Sequence, residues 1–165
     1  MSIITNVRTI RLEQFPNSIW VEIETDENLT GLGEAWRGTA AIETIIHHDI
    51  CPWLIGQDSR NIELISRTLL TPYVGFHSAS AEIRAASAID IALWDLAGKR
   101  HGIPVYEALG GASRSSIQVY NTCSGYSFNA SSSAYNSGTS RRMITDKDEM
   151  RGPYDDQVAF TRDAG

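Results

Sequence analysis

Few residues in this 165-residue chain combine types and spacings suited to chemistry. Trp36 and Arg37 are adjacent. An arginine beside a tryptophan presents a charged fork and a flat wall, which suits a carboxylated, polyhydroxylated ligand. The alternative is a solvated arginine next to a packed tryptophan. His47 and His48 are neighbours on a stretch of helical period. Their side chains diverge by about 100°, which argues against a shared metal. His77 and His101 have no partner visible in the sequence and read as surface residues. Cys51 and Cys123 lack metal-like spacing, so reduced thiols in a cytoplasmic protein are expected. Asn28-Leu29-Thr30 and Asn129-Ala130-Ser131 match the glycosylation triplet. With no charged-then-apolar secretion signal at the N-terminus, both read as coincidence.

Bulk properties narrow the classes. The net charge is −6 and the isoelectric point about 5.1. An acidic balance without a basic cluster argues against nucleic acid as a partner. No apolar run reaches the ~18 residues of a membrane span, so no membrane partner is expected. Hydrophobic residues make up 42% of the chain, enough for a real core.

The elements follow from periodicity. Residues 3–12 read as a strand and Glu13–Ser18 as a turn around Pro16. Residues 19–25 form a second strand, with Ile19, Val21 and Ile23 on one face and Glu22 and Glu24 on the other. Residues 31–35 form a third, and the short connections imply an antiparallel meander. From Thr39 the period becomes helical. Thr39 is expected as a cap, Glu43 in the first turns, Ile42, Ile45, Ile46 and Ile50 on one face, and Pro52 as the end. Asp58 is expected to cap a second helix carrying Ile62, Ile65 and Leu69, stopped near Pro72. Residues 73–78 read as a loop. A third helix runs from about Ser80 to Arg100. Ile89, Ala92, Leu93, Leu96 and Ala97 make its apolar stripe, and Asp95 and Lys99 pair on its wet side. Gly102 ends it and Pro104 forbids continuation. A short turn from Val105 to Leu109 stops at Gly110-Gly111. Residues 116–120 read as a strand, 121–155 as a polar irregular stretch, and 155–165 as the opening of an amphipathic helix.

One stretch is specific. Ala85, Ser87, Ala88, Ile89, Asp90, Ala92, Leu93, Asp95, Leu96, Gly98 and Lys99, then Pro104, Val105, Leu109 and Gly110, stand at fixed gaps. They resemble a signature of the mandelate racemase/muconate lactonizing enzyme family, a branch of the enolase superfamily. Ala108 departs from it, since a larger apolar residue is usual there. The resemblance implies an α+β capping domain over 1–115, a three-stranded antiparallel meander followed by helices. Residues 116–165 would then be the incomplete first unit of a (β/α) barrel, which needs ~250 residues. Only 50 residues follow Ser115, so the chain reads as the N-terminal piece of a longer enzyme.

The resemblance also implies chemistry. The shared step removes the proton next to a carboxylate, with Mg²⁺ at the carboxylate oxygens and a Lys or His base. Catalytic and metal residues are expected beyond Gly165, and none is assigned here. The capping domain would supply two lid loops that select the substrate: Phe15 and Asn17 on the first, Trp36 and Arg37 on the second. Tyr120 and Asn121 would end the first barrel strand, where active-site residues concentrate. Tyr126, Arg141 and Arg142 are weaker candidates. The arginine-bearing lid favours an acid-sugar dehydratase, a hydro-lyase acting on a small carboxylate, homo-oligomeric when complete and inactive as this piece alone. The alternatives are a racemase, epimerase or cycloisomerase of the same superfamily, or a non-enzymatic capping-like association module.

Overall fold

The computed structural model describes residues 1–13, 15–71 and 80–119. The chain divides into two compact units. One comprises Met1–Leu12 and Ser18–Ser115; the other comprises Glu13–Asn17 and Ser116–Gly165. The first holds all the regular structure among the described residues.

Three strands, β1 (Ile4–Ile10), β2 (Ser18–Thr25) and β3 (Thr30–Trp36), form an antiparallel sheet in the order β1-β2-β3. The period-2 pattern sets its two faces. Ile19, Val21 and Ile23 are fully buried, and Ile4 and Val7 join them from β1. On the other face Arg8 stands opposite Glu22 in register and pairs with it and with Glu24. The β2–β3 turn takes a left-handed residue at Asn28, φ 57°, a conformation that asparagine tolerates.

The helices are α1 (Thr39–Thr44), a π-helical turn (Ile45–Ile50), α2 (Cys51–Leu54), α3 (Ile62–Leu70), α4 (Ala81–His101) and α5 (Val105–Ala108). Ile42, Ile46, Ile50, Leu54 and Ile65 enter the core. Three expectations about helix ends are corrected. Gly38, not Thr39, stands at the α1 cap, and Thr39 is already helical and buried. Pro52 does not end the first helical run but stands in the first turn of α2. The Cys51 N–H bonds back five residues to Ile46, so the wide turn precedes the proline and the chain continues past it. Asp58 does not cap α3; Asn61 holds that position. Asp58 instead accepts from Arg60 Nη2 at 2.6 Å and from the Ser2 N–H at 3.2 Å. It therefore tethers the N-terminal strand rather than a helix end.

Residues 116–119 lack the expected strand. Strands exist through ladder partners, and no described residue pairs with them. The expected loop at 73–78, and the expected structure of 121–165, lie outside the described residues.

The main tertiary contact places α4 on β3. Ala85, Ala88, Ile89, Ala92, Leu93 and Leu96 are fully buried. A Cβ on Gly31 would stand 2.1 Å from the Ala92 carbonyl oxygen, and one on Gly33 would stand 1.9 Å from that of Ala88. Bare strand backbone meets a helix face of alanines, and any added carbon would collide with backbone. Ala97 is only half-buried. Asp95 and Lys99 do pair, at 2.7 Å, but they also clasp the strand edge. Asp95 accepts from the Leu32 N–H at 2.7 Å, and Lys99 donates to the Thr30 carbonyl at 2.7 Å. Gly102 ends α4 at φ 65°, the left-handed conformation that a glycine adopts without penalty. Near that end Arg100 donates to the hydroxyls of Ser2 at 2.6 Å and Ser59 at 2.8 Å and pairs with Glu27 at 3.2 Å.

Two outcomes test this packing. Gly33→Ala should lower unfolding stability by about 3 kcal/mol, because the colliding atom is helix backbone and cannot rotate away. Urea unfolding of the chain reads it, and an unmoved midpoint would mean that α4 stands farther from the sheet. Asp58 gives a pH test. The Arg60 hydrogen bond holds its carboxyl far below the usual carboxylate range. A carboxyl lowered in the folded state stabilises above its unfolded value of about 4 and loses that contribution as pH falls further. Asp58→Asn should be less stable than the parent at pH 7, with the gap narrowing below about pH 4. A gap that is the same at both ends of the range would remove the ionised Asp58 from the account.

Candidate functional site

The β3–α1 junction gathers the chemistry of the first unit. β3 ends at Trp36, whose ring is half exposed, and α1 starts at Thr39 after two intervening residues. The intervening backbone is left-handed twice, with φ 63° at Arg37 and 75° at Gly38. Glycine adopts this freely, whereas an arginine does so at a cost of about 1–2 kcal/mol. The Arg37 guanidinium carbon lies 4.4 Å from the centroid of the Trp36 ring. Such stacking contributes about 0.5–1 kcal/mol at an exposed position. Fork and wall are thus joined into one unit, with one ring face covered by the guanidinium.

The surroundings hold the junction on both sides. The Gly38 carbonyl accepts from the Ile42 N–H at 3.0 Å and opens α1. From α4, Arg84 Nη1 donates to the Arg37 carbonyl at 3.0 Å. Nothing in the sequence pointed to Arg84. It lies 47 positions from Arg37 and reads as an exposed arginine in the first turn of a helix.

The other sequence candidates are placed as follows. Phe15 is exposed and Asn17 half-buried, both in the second unit. Tyr120, Asn121, Tyr126, Arg141, Arg142, His77 and Cys123 lie outside the described residues. His47 does not pair with His48 but lies 2.9 Å from the Thr9 hydroxyl and 4.0 Å from the buried Cys51 sulfur. Burial pushes the Cys51 thiol up, which keeps it protonated and unreactive. Glu43 accepts from Arg11 at 2.9 Å, which holds its carboxyl below the usual range; Thr9 adds a second bond at 3.0 Å. His101 is in the last turn of α4. Among the described residues, no three His, Cys, Asp or Glu side chains come together as a metal site.

A cavity of about 780 Å³ lies between α3 and α4, with Trp94, Asp90 and Ser66 in its lining. Ser66 donates to the Asp90 carboxylate, and Arg60 is engaged by Asp58. Glu63 on its rim pairs with Arg67, and none of the lid candidates lines it.

Comparison with known proteins settles the lineage. Residues 6–110 match the model of the mandelate racemase/muconate lactonizing enzyme N-terminal domain. The chain belongs to this family. The sheet followed by helices is its N-terminal capping domain. A D-mannonate dehydratase from Rhizorhabdus wittichii is 36% identical over 126 residues, covering 74% of this chain and 31% of that protein. A D-galactonate dehydratase from Ralstonia nicotianae is 39% identical over 124 residues, with the same coverage of 74% and 31%. The chain therefore spans about a third of the length of these relatives.

Solved structures agree. An enolase protein from Sargasso Sea environmental sequencing superposes with a TM-score of 0.71 at 57% identity, over 76% of this chain and 34% of that one. An enolase from Pantoea ananatis with bound D-gluconate and Mg gives a TM-score of 0.64 at 38% identity, over 69% and 28%. No helix among the described residues is long and apolar enough to cross a membrane.

Proposed function

We propose that this chain is the N-terminal part of a Mg²⁺-dependent enzyme that abstracts the proton next to a carboxylate, an acid-sugar dehydratase. Residues 1–115 form its capping domain and 116–165 begin its barrel. The capping domain supplies substrate selection and not the catalytic bases. The observation that carries this reading is the Trp36–Arg37 stack at the sheet-to-helix junction of a family capping domain. The names of the mannonate and galactonate dehydratases, and the gluconate bound in the Pantoea enzyme, support the substrate class.

In this reading Arg37 hydrogen-bonds distal hydroxyls or a second carboxylate of the sugar. Trp36 holds the guanidinium and keeps water from one side of it. Phe15, Asn17, Tyr120 and Asn121 complete the contacts to the substrate. Mg²⁺ would stabilise charge on the reacting carboxylate, held by barrel residues beyond Gly165. The complete enzyme is a cytoplasmic homo-oligomer whose partner is a small carboxylate.

Two experiments test it. In the complete enzyme, Arg37→Ala removes charged hydrogen bonds worth about 1.5–3 kcal/mol and should raise KM for the preferred acid sugar about 10- to 150-fold. Part of kcat should survive, because base and metal belong to the barrel. Unchanged kcat/KM would place Arg37 on the solvated surface; an abolished kcat with normal KM would place it in the chemistry itself. The 165-residue chain alone should turn over no acid sugar. Product formed by the purified chain and lost with EDTA would contradict the division of labour.

A further inference from the structure

We propose that Arg84 is a positioning residue for the lid, anchoring the backbone from which Arg37 reaches the Trp36 ring. The inference rests on the reading of Trp36 and Arg37 as a substrate-facing pair. Its geometry stands on three observations. Arg37 and Gly38 are left-handed in succession. The Arg37 carbonyl receives the Arg84 Nη1 donor at 3.0 Å. The Arg37 guanidinium lies 4.4 Å from the Trp36 ring centroid.

The carbonyl of residue 37 belongs to the peptide plane shared by ψ of Arg37 and φ of Gly38. Holding that oxygen restrains the plane and so both angles. An arginine left to itself prefers the right-handed or extended region. Relaxation of Arg37 out of its left-handed φ of 63° would swing its Cβ, and with it the guanidinium, away from the ring, and an anchored 37–38 plane opposes that relaxation. Gly38 is restrained on its far side by the Ile42 N–H. Arg84 restrains the near side, and a charged donor makes the stronger bond to a carbonyl.

The placement of Arg84 matters as much as its charge. It sits one position before Ala85, which is fully buried, on the helix that packs most closely on the sheet. Its own side chain is exposed, so it contributes little to the core. The contact therefore couples the helix packed on the sheet to the lid junction. The pair is held in one orientation before a ligand arrives, which lowers the ordering cost of binding.

The test uses the 165-residue chain without ligand. Arg84→Met keeps the aliphatic stem and removes the donor; Arg84→Lys keeps a charged donor. Nuclear Overhauser contacts between the Arg37 side chain and the Trp36 ring should be lost in Arg84→Met and at least partly regained in Arg84→Lys. Amide resonances of β1 and α3 should not move. If Arg84→Met does not fold, Arg84→Gln, whose amide is too short to reach, should show the same loss. Contacts at parental intensity in the folded donorless variant would overturn the proposal. In the complete enzyme Arg84→Met should raise KM about 2- to 10-fold with kcat retained, as expected for one lost hydrogen bond. An abolished kcat would overturn a positioning role. The two readings fail separately. An Arg37→Ala enzyme with unchanged kcat/KM defeats the substrate reading, yet the unliganded stack still reports on Arg84.

Discussion

The close seat of α4 on β3 is the constraint on which the first unit depends. Gly31 and Gly33 remove side chains from one face of the strand, and Ala85, Ala88 and Ala92 keep the helix face low. The two backbones can then approach until helix carbonyls stand where strand Cβ atoms would be. Tight apposition of this kind gains dispersion over many atom pairs and leaves no room for alternatives. It also fixes register. A slip of one residue along β3 would turn Leu32 or Glu34 toward the helix, and neither fits.

Polar side chains secure the edges of that contact. Asp95 and Lys99 occupy backbone groups along β3. These bonds satisfy exposed strand-edge groups, which would otherwise invite another strand. Beside Lys99, in the last turn of the helix, Arg100 gathers Ser2, Ser59 and Glu27. Ser2 and Ser59 are fully buried, so the guanidinium supplies the donors that burial demands. Asp58 and Arg60 hold the same corner from the loop before α3. The N-terminal strand is thus tied to residues up to 98 positions away.

The β3–α1 junction profits from this close packing. Trp36 ends the strand that α4 clamps, Arg37 follows it, and α1 begins at Thr39. The chain has no slack between two fixed elements, which permits an arginine to be kept in a left-handed conformation. Buried alanines and isoleucines hold the frame, and the exposed Trp36 with the half-buried Arg37 stands at its margin.

The sequence by itself determined most of the frame. Alternation over residues 19–25 and the apolar stripe from Ile89 to Leu96 each specify a period that only one element satisfies. The fixed gaps of the signature helix announced the family. Trp36 and Arg37 were legible as a pair because they are adjacent. Helix ends were less legible. Thr39 and Asp58 have good capping chemistry, but Gly38 and Asn61 took those positions. Asp58 found stronger partners in Arg60 and the Ser2 N–H, and such competition is invisible to a local pattern. Pro52 reads as a stop, yet a wide turn absorbed it. What only the tertiary structure decided was long-range: the edge contacts of Asp95 and Lys99, the Arg100 node, and the bond from Arg84 to Arg37. Each joins residues whose separation in sequence carries no period. Their meeting follows from how closely the helix sits on the sheet, which is a property of packing and not of any one stretch.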